Sequence, residues 1–371
     1  MCLILRAILP NIRARVPDTN KLALFESECM AIEEWARRRY DWFSQRIPEL
    51  EKRASENGGR LSKEEVWRAK YFVNPYMLLE PDEVIIERLN DILTNSLDLS
   101  IEGKITLTPM VENKERLSKF ITQVIAETNL RGILHRGTMQ PAYEQINSYF
   151  ENGTPPGARM FQDFPSSPEN HLFKFSKKEF VDDMYKYGRF RISQASYYSK
   201  GSHLRAVKDL ETQRNYKVKA IHEAMEGLTS IEVQGHKVNI VNGVIPINFY
   251  LDDYFLFSTC NEVSRRMPTD FEADSVLVIK NKGEFLSRLK EELLISYPGW
   301  EFLERDVYYY DSYNNHPEDA DQEFYKHISY SYQREHRCII RPKYLGEKNE
   351  KLSPFFVEIG PLNDICEVIN C

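Results

Sequence analysis

Glu335 stands in the run Tyr330-Ser-Tyr-Gln-Arg-Glu-His-Arg-Cys-Ile-Ile340, with Gln333 two residues before it and Arg337 two after. The ends of the run are aromatic and β-branched, which suits a strand. Alternation along a strand would put Gln333, Glu335, Arg337 and Ile339 on one face and Tyr332, Arg334, His336 and Cys338 on the other. A row of Gln, Glu and Arg cannot enter a dry core unpaired, because each unpaired buried charge costs several kcal/mol. The row therefore lines a cleft, pairs internally, or forms a Glu–Arg ladder on an amphipathic edge strand. A carboxylate fixed in a cleft can stabilise a developing cation. His336 points away from Glu335 in such a strand and is not expected to act as a base.

Two further stretches carry polar groups that could converge on that carboxylate. In Gly188-Arg-Phe-Arg-Ile-Ser193, alternation places Arg189, Arg191 and Ser193 together, and arginine offers a planar fork of donors suited to phosphate. In Phe257-Ser-Thr-Cys-Asn-Glu262, Ser258 and Thr259 can orient a carboxylate. Tyr197 and Tyr198 could stack on a planar ring or pack in a sheet core. Asp209 and Glu211 read either as an acidic pair leading into a helix or as part of a site.

The order Arg, then Ser-Thr, then Gln-x-Glu resembles the Arg–Ser–Glu class of mono-ADP-ribosyltransferases, across about residues 180–365. The texture is also similar to a loose group of bacterial toxin and phage-defence proteins, through Arg191, Tyr197-Tyr198, Asp209 with Glu211, and Tyr330 to Arg337. The resemblance implies split antiparallel sheets holding NAD as substrate. It gives Arg191 to a phosphate of NAD (with Arg189 as rival), and Ser258 and Thr259 to the nicotinamide ribose and the glutamate. Glu335 would take the ribose 2′-hydroxyl and Gln333 would sit near the acceptor. Cys260 stands where that family usually has a second serine. A second register, His135-Arg-Gly-Thr138 with Phe164-Pro-Ser-Ser167, resembles the corresponding strands of some exoenzyme transferases, though proline suits a central strand poorly. The implied partners are a macromolecular acceptor, protein or nucleic acid, and an antitoxin or other defence protein. An NAD glycohydrolase, or an inactive binding module, remains as an alternative.

The elements that must position these groups follow from the rest of the chain. Its 371 residues exceed one ordinary core. With 42 % apolar and 28 % charged residues the chain is globular, and a net charge of -7 argues against nucleic-acid binding by bulk electrostatics. The six cysteines contain no CxxC pair, and the eight histidines no His-x-x-x-His spacing, so neither zinc nor a disulfide framework is expected. Arg6 and Pro10 break the apolar N-terminus, and no run suffices for a membrane span, so a cytoplasmic protein without membrane contact is expected.

Residues 1–150 read as a helical recognition or partner domain. Helices are expected over 18–57 with Asp18 and Thr19 as caps, after the capping box Ser62-Lys-Glu-Glu65, after Pro81 and from about Glu112. Ile133–Thr138 reads as a short strand. Residues 151–175, rich in Gly, Pro and Ser, read as a linker, and 176–371 as an α+β catalytic domain with antiparallel sheets. Its expected strands are Phe190–Tyr198, Ile231–Val241 and Val244–Tyr250 as a hairpin about Asn242-Gly243, Tyr254–Cys260, Ser275–Ile279, Val307–Tyr310, Tyr330–Ile340 and Phe355–Ile359. Its expected helices are Lys217–Gly227 and Gly283–Ser296.

Overall fold

A computed structural model describes residues 34–108, 111–164, 168–199, 209–233, 235–315, 321–343 and 352–371. The expected caps Asp18 and Thr19, and the residues Pro165 to Ser167, lie outside them.

Helices come first, as their spacing predicts: α1 (Glu34–Glu56), α2 (Lys63–Val73) and α3 (Asp82–Asn95). Pro48 sits inside α1 without ending it. Ser62 and Glu65 form the expected reciprocal cap of α2, satisfying two backbone N–H groups that the first turn leaves orphaned. A small hairpin, β1 (Leu97–Leu99) with β2 (Ile105–Leu107), precedes α4 (Val111–Arg131), α5 (Gln140–Ser148) and α6 (Pro156–Met160). The piece around Arg136 is a 3₁₀ turn over Arg136–Met139 rather than a strand.

The sheet-rich part opens inside the stretch expected to be linker, with β3 (Leu172–Ser176). It continues with α7 (Lys178–Tyr187), β4 (Arg189–Gln194), α8 (Ala195–Tyr198), β5 (Gln213–Lys219), α9 (Ile221–Met225), β6 (Ser230–Val233), β7 (His236–Asn239) and β8 (Val244–Tyr250). There follow β9 (Phe255–Cys260), α10 (Met267–Asp270), β10 (Ser275–Ile279), α11 (Lys282–Ser296), β11 (Trp300–Asp306), β12 (Tyr308–Tyr310), β13 (Tyr325–His327), β14 (Glu335–Pro342), β15 (Phe355–Glu358) and β16 (Cys366–Asn370).

One antiparallel sheet runs β11-β14-β9-β3-β10-β16. Strand β9 is its fork. On one edge it pairs fully with β14; on the other its start meets β4 and its end meets β3. Strand β4 in turn pairs β15. Gly188 makes that crossing feasible: it caps α7 in the left-handed region, and a Cβ there would lie 2.0 Å from the Gly360 carbonyl oxygen.

Several expectations shift in detail. Asn242 and Gly243 do turn with positive φ, bridged by Val241 and Val244, as a type I′ turn requires. Yet β8 pairs with β5, and β6 pairs with β7. The expected helix over Lys217–Gly227 shrinks to α9, because Lys217 belongs to β5. The expected strand Phe190–Tyr198 ends at Gln194 and turns into α8.

One side of the central sheet is dry. Phe190, Ile192, Phe255, Phe257, Cys338 and Ile340 pack there against Val181 and Met184 of α7 and Phe285 and Leu289 of α11. The helical part has its own core around Phe43, Tyr71, Leu89 and Phe120, which also takes in Ile221, Val244, Tyr313 and Ile328. Helices and sheets therefore share buried surface.

Candidate functional site

The other side of the sheet carries a buried ionic cluster beside the apolar Leu256 and Ile339, and Glu335 sits in it. The run from Tyr330 is not one strand. Ile328–Gln333 is a 3₁₀ segment, Arg334 adopts φ 47°, and extended structure begins at Glu335. The left-handed residue breaks the alternation, so Gln333 does not share a strand face with Glu335, contrary to the sequence expectation. Gln333 is buried beside Tyr332. Arg334 reaches instead to Glu262 and to Asp98 of β1.

From Glu335 onward the alternation holds. Register pairs Glu335 with Cys260, Arg337 with Ser258 and Ile339 with Leu256, and directly opposed residues of an antiparallel pair share a side. Ser258 Oγ donates to Glu335 Oε1 at 2.5 Å, and Arg337 Nε donates to the same oxygen at 2.8 Å. Lys326 Nζ, from β13, donates to Oε2 at 3.0 Å. The Glu335 backbone N–H donates to the Tyr309 hydroxyl of β12. Arg337 also donates to Glu211 Oε1 at 2.8 Å, and Lys326 lies 3.5 Å from Asp209 and 3.6 Å from Glu211. Arg214 approaches Glu211 at 3.5 Å. Three carboxylates thus meet three cations in a cluster where Arg337 has no exposed surface.

The charges settle one another. Burial pushes the Glu335 carboxyl up, but the Arg337 and Lys326 charges, with hydrogen bonds from Arg337 and Ser258, outweigh it and hold it well below the carboxylate range. Burial likewise disfavours charged Lys326, and Glu335, Glu211 and Asp209 overcome it, raising the ammonium. Asp209 goes the other way: burial, with Glu211 beside it, pushes its carboxyl to about 6 despite Lys326.

The other sequence-derived residues fall in three places. Tyr198 joins the cluster; burial, with Glu211 and Glu335 nearby, pushes its hydroxyl to about 12. Arg191 belongs to the same side of the sheet by register, since Ser193 opposes Leu256, but it is exposed and stacks on Tyr197 at 4.6 Å. The Tyr197 and Tyr198 rings meet edge-on at 5.6 Å, joining this outer pair to the buried one. Thr259 turns to the opposite side, opposed to His336, and does not touch Glu335. His336 faces away as expected and binds Asp306 at 2.6 Å. Cys260 keeps to the Glu335 side, its thiol pushed to about 12 by burial. In the second register, Arg136 lies in the 3₁₀ turn.

Sequence reasoning missed Lys326, Tyr309 and Arg214. Nothing in their spacing marks them. The only available signal was electrostatic: buried Glu335 and Glu211 require cations from elsewhere. A cavity of about 710 Å³ opens beside the cluster, with Asp209 and Arg214 in its wall; Glu335, Ser258 and Arg191 are not in that wall. Among the described residues no group of His, Cys, Asp and Glu is arranged to hold a metal, and no helix is long and apolar enough to cross a membrane. Comparison with family models, curated proteins and solved structures found no match.

Proposed function

We propose that the chain splits the nicotinamide glycosidic bond of NAD and passes ADP-ribose to a protein or nucleic-acid acceptor, with Glu335 as the carboxylate beside the reacting ribose. The observation that carries this reading is the cross-strand contact between Ser258 and Glu335. It fixes an anionic oxygen in place, and a ribosyl centre losing its leaving group gains positive charge that such an oxygen stabilises. In the step, the bond from the ribose carbon to the nicotinamide nitrogen breaks and its electron pair leaves with nicotinamide. An acceptor oxygen or nitrogen then bonds that carbon and gives up its proton. Arg191, exposed on the same side of the sheet, supplies the phosphate-binding fork, and Tyr197 a ring face beside it. Lys326 covers Oε2 of Glu335. To free that oxygen it shifts toward Asp209 and Glu211, which it already approaches.

A second reading has its own observation. Both oxygens of Glu335 are occupied by Ser258, Arg337 and Lys326, and the residue is outside the cavity wall. That arrangement suits a structural ion network in a binding module, such as one partner of a toxin–antitoxin or defence assembly.

Labelled NAD separates the two. The purified chain with cell lysate should release nicotinamide, and Glu335→Gln should slow release by about a hundred- to thousandfold. Label on protein or nucleic acid names the acceptor, and release without label transfer identifies a glycohydrolase. Wild-type protein that releases no nicotinamide rejects both enzymes in favour of the binding module.

A further inference from the structure

Three elements bring cations together over the helical core. Lys70 of α2 is exposed, while Arg116 and Lys119 of α4 and Lys219 at the end of β5 are half-buried. Arg116 and Lys119 stand three apart on one helix, which makes them surface neighbours. Their charged groups lie 6.0 and 5.9 Å from the Phe120 ring. Gln123, one turn further along α4, accepts from the Tyr76 hydroxyl, and Lys219 Nζ lies 4.3 Å over the Tyr76 ring. Among the described residues none of these four cations forms an ion pair with a carboxylate, whereas the adjacent Lys63 is paired with Glu115 and Arg88 with Asp311.

The gathered charges repel one another. Burial lowers the Lys119 ammonium, and the charges of Lys70 and Arg116 lower it further. Burial, with Lys119 and Arg88 beside it, pushes Lys219 down to about 8 against the opposing charge of Asp311. Asp311 has no exposed surface and is bound to Arg88, so it offers these lysines no direct partner. A chain of net charge -7 thus holds a local patch of the opposite sign, which an external anion would relieve.

A ring stands at the edge of the patch. Tyr308, the first residue of β12, is 44 % exposed, and the Arg116 guanidinium lies 5.8 Å from its ring. Asn315 Nδ2 donates to the Tyr308 hydroxyl at 2.7 Å, which fixes the ring. Arg116 also donates to the Tyr309 carbonyl, and the Tyr309 hydroxyl accepts from the Glu335 N–H. One strand therefore separates the patch from the carboxylate assigned to bond cleavage.

We propose that this patch binds single-stranded nucleic acid, with phosphates on Lys70 and Lys119 and an unpaired base stacked on Tyr308. Arg116 and Lys219 add positive potential behind the two lysines. Cations beside an exposed aromatic ring suit a single strand, because phosphates take the charges and every base offers a ring face. The proposal rests on the NAD reading and deepens it, naming nucleic acid as the acceptor.

Fluorescence anisotropy of the full chain with a labelled single-stranded oligonucleotide of about 16 nucleotides, without NAD, tests this. The wild type should bind at about 50 mM salt, and log K should fall with log salt at a slope of about -1.4, two phosphate contacts at about -0.7 each. Lys70→Glu combined with Lys119→Glu should weaken binding at least tenfold while melting normally by circular dichroism. Lys119→Gln should make the slope shallower by about 0.7. Tyr308→Ala should weaken binding at least fivefold without changing the slope, and Tyr308→Phe should restore it. Failure of the wild type to bind overturns the proposal, as does binding that the charge variants leave unchanged. Competition by polyglutamate at equal charge, with no effect of Tyr308→Ala, overturns it in favour of an acidic protein partner. Nicotinamide release by a wild type that does not bind the strand leaves the NAD reading standing with a protein acceptor. Strand binding with the expected losses, and no nicotinamide release, supports the patch and removes the NAD reading instead.

Discussion

The two sides of the central sheet are built from the same strands and obey opposite rules. On one side β4, β9 and β14 contribute Phe190, Ile192, Phe255, Phe257, Cys338 and Ile340, closed by two helices. On the other, the same strands present Leu256 and Ile339 together with Ser193, Ser258, Glu335 and Arg337, met by Lys326 and Glu211. Apolar packing is tolerant of geometry and stabilises by roughly 1.5–3 kcal/mol per buried side chain. Buried ion pairs gain little net stability, because desolvation offsets attraction, but they fail badly when one partner is removed. The dry side holds the sheet together. The ionic side fixes where charges stand.

The comparison breaks first at Arg337. Arg337→Met strands Glu335 and Glu211 without their main cation, and urea unfolding should show a loss of about 3–5 kcal/mol. A loss under 1 kcal/mol would mean that the network relaxes around Lys326 alone. On the dry side Leu289→Ala leaves a cavity with no charge to strand. Its cost, about 2–4 kcal/mol, should be the same at pH 5 and pH 8.

The subtlest contrast is in pH. Asp209 titrates at about 6 when folded against 3.8 ordinarily, so from pH 4 to 6 the folded state holds a proton that the unfolded chain has lost. Wild-type stability contributed by this group is therefore lost as pH rises through that window. Asp209→Asn removes the effect. Chemical unfolding at half-unit steps should show the variant gaining on wild type between pH 4 and 6 and running parallel above it. Glu335 has the opposite sign: its depressed carboxyl contributes stability above the ordinary glutamate range, which is lost on acidification. A flat difference curve for Asp209→Asn would show that Asp209 is as solvated as a surface carboxylate.

Much of this could be read from local pattern. The Ser62–Glu65 cap, the helix after Pro81, the helix at 282–296, the strands at 255–260 and 275–279 and the Asn242-Gly243 turn all rest on neighbours within a few residues. Strand β3 was hidden because Leu172-Phe-Lys-Phe-Ser176 is short and follows a run of turn residues, although its neighbours in the sheet, β9 and β10, were recognised. The turn at Asn242 was legible while the partner of β8 was not, since β5 lies a helix and a hairpin away in sequence.

The two-residue alternation in β14 put Glu335 and Arg337 on a common side, and the residue types offered Ser258 as a partner, before any pairing was known. That much is local, because backbone geometry alone sends alternate side chains to opposite sides of a strand. Only the tertiary structure decided that Lys326 and Glu211 close over the carboxylate, that Arg334 turns Gln333 away, and that Arg191 stays outside with Tyr197. The burial that makes a charge need a partner belongs to the assembled layers, and the partner comes from whichever segment those layers bring near.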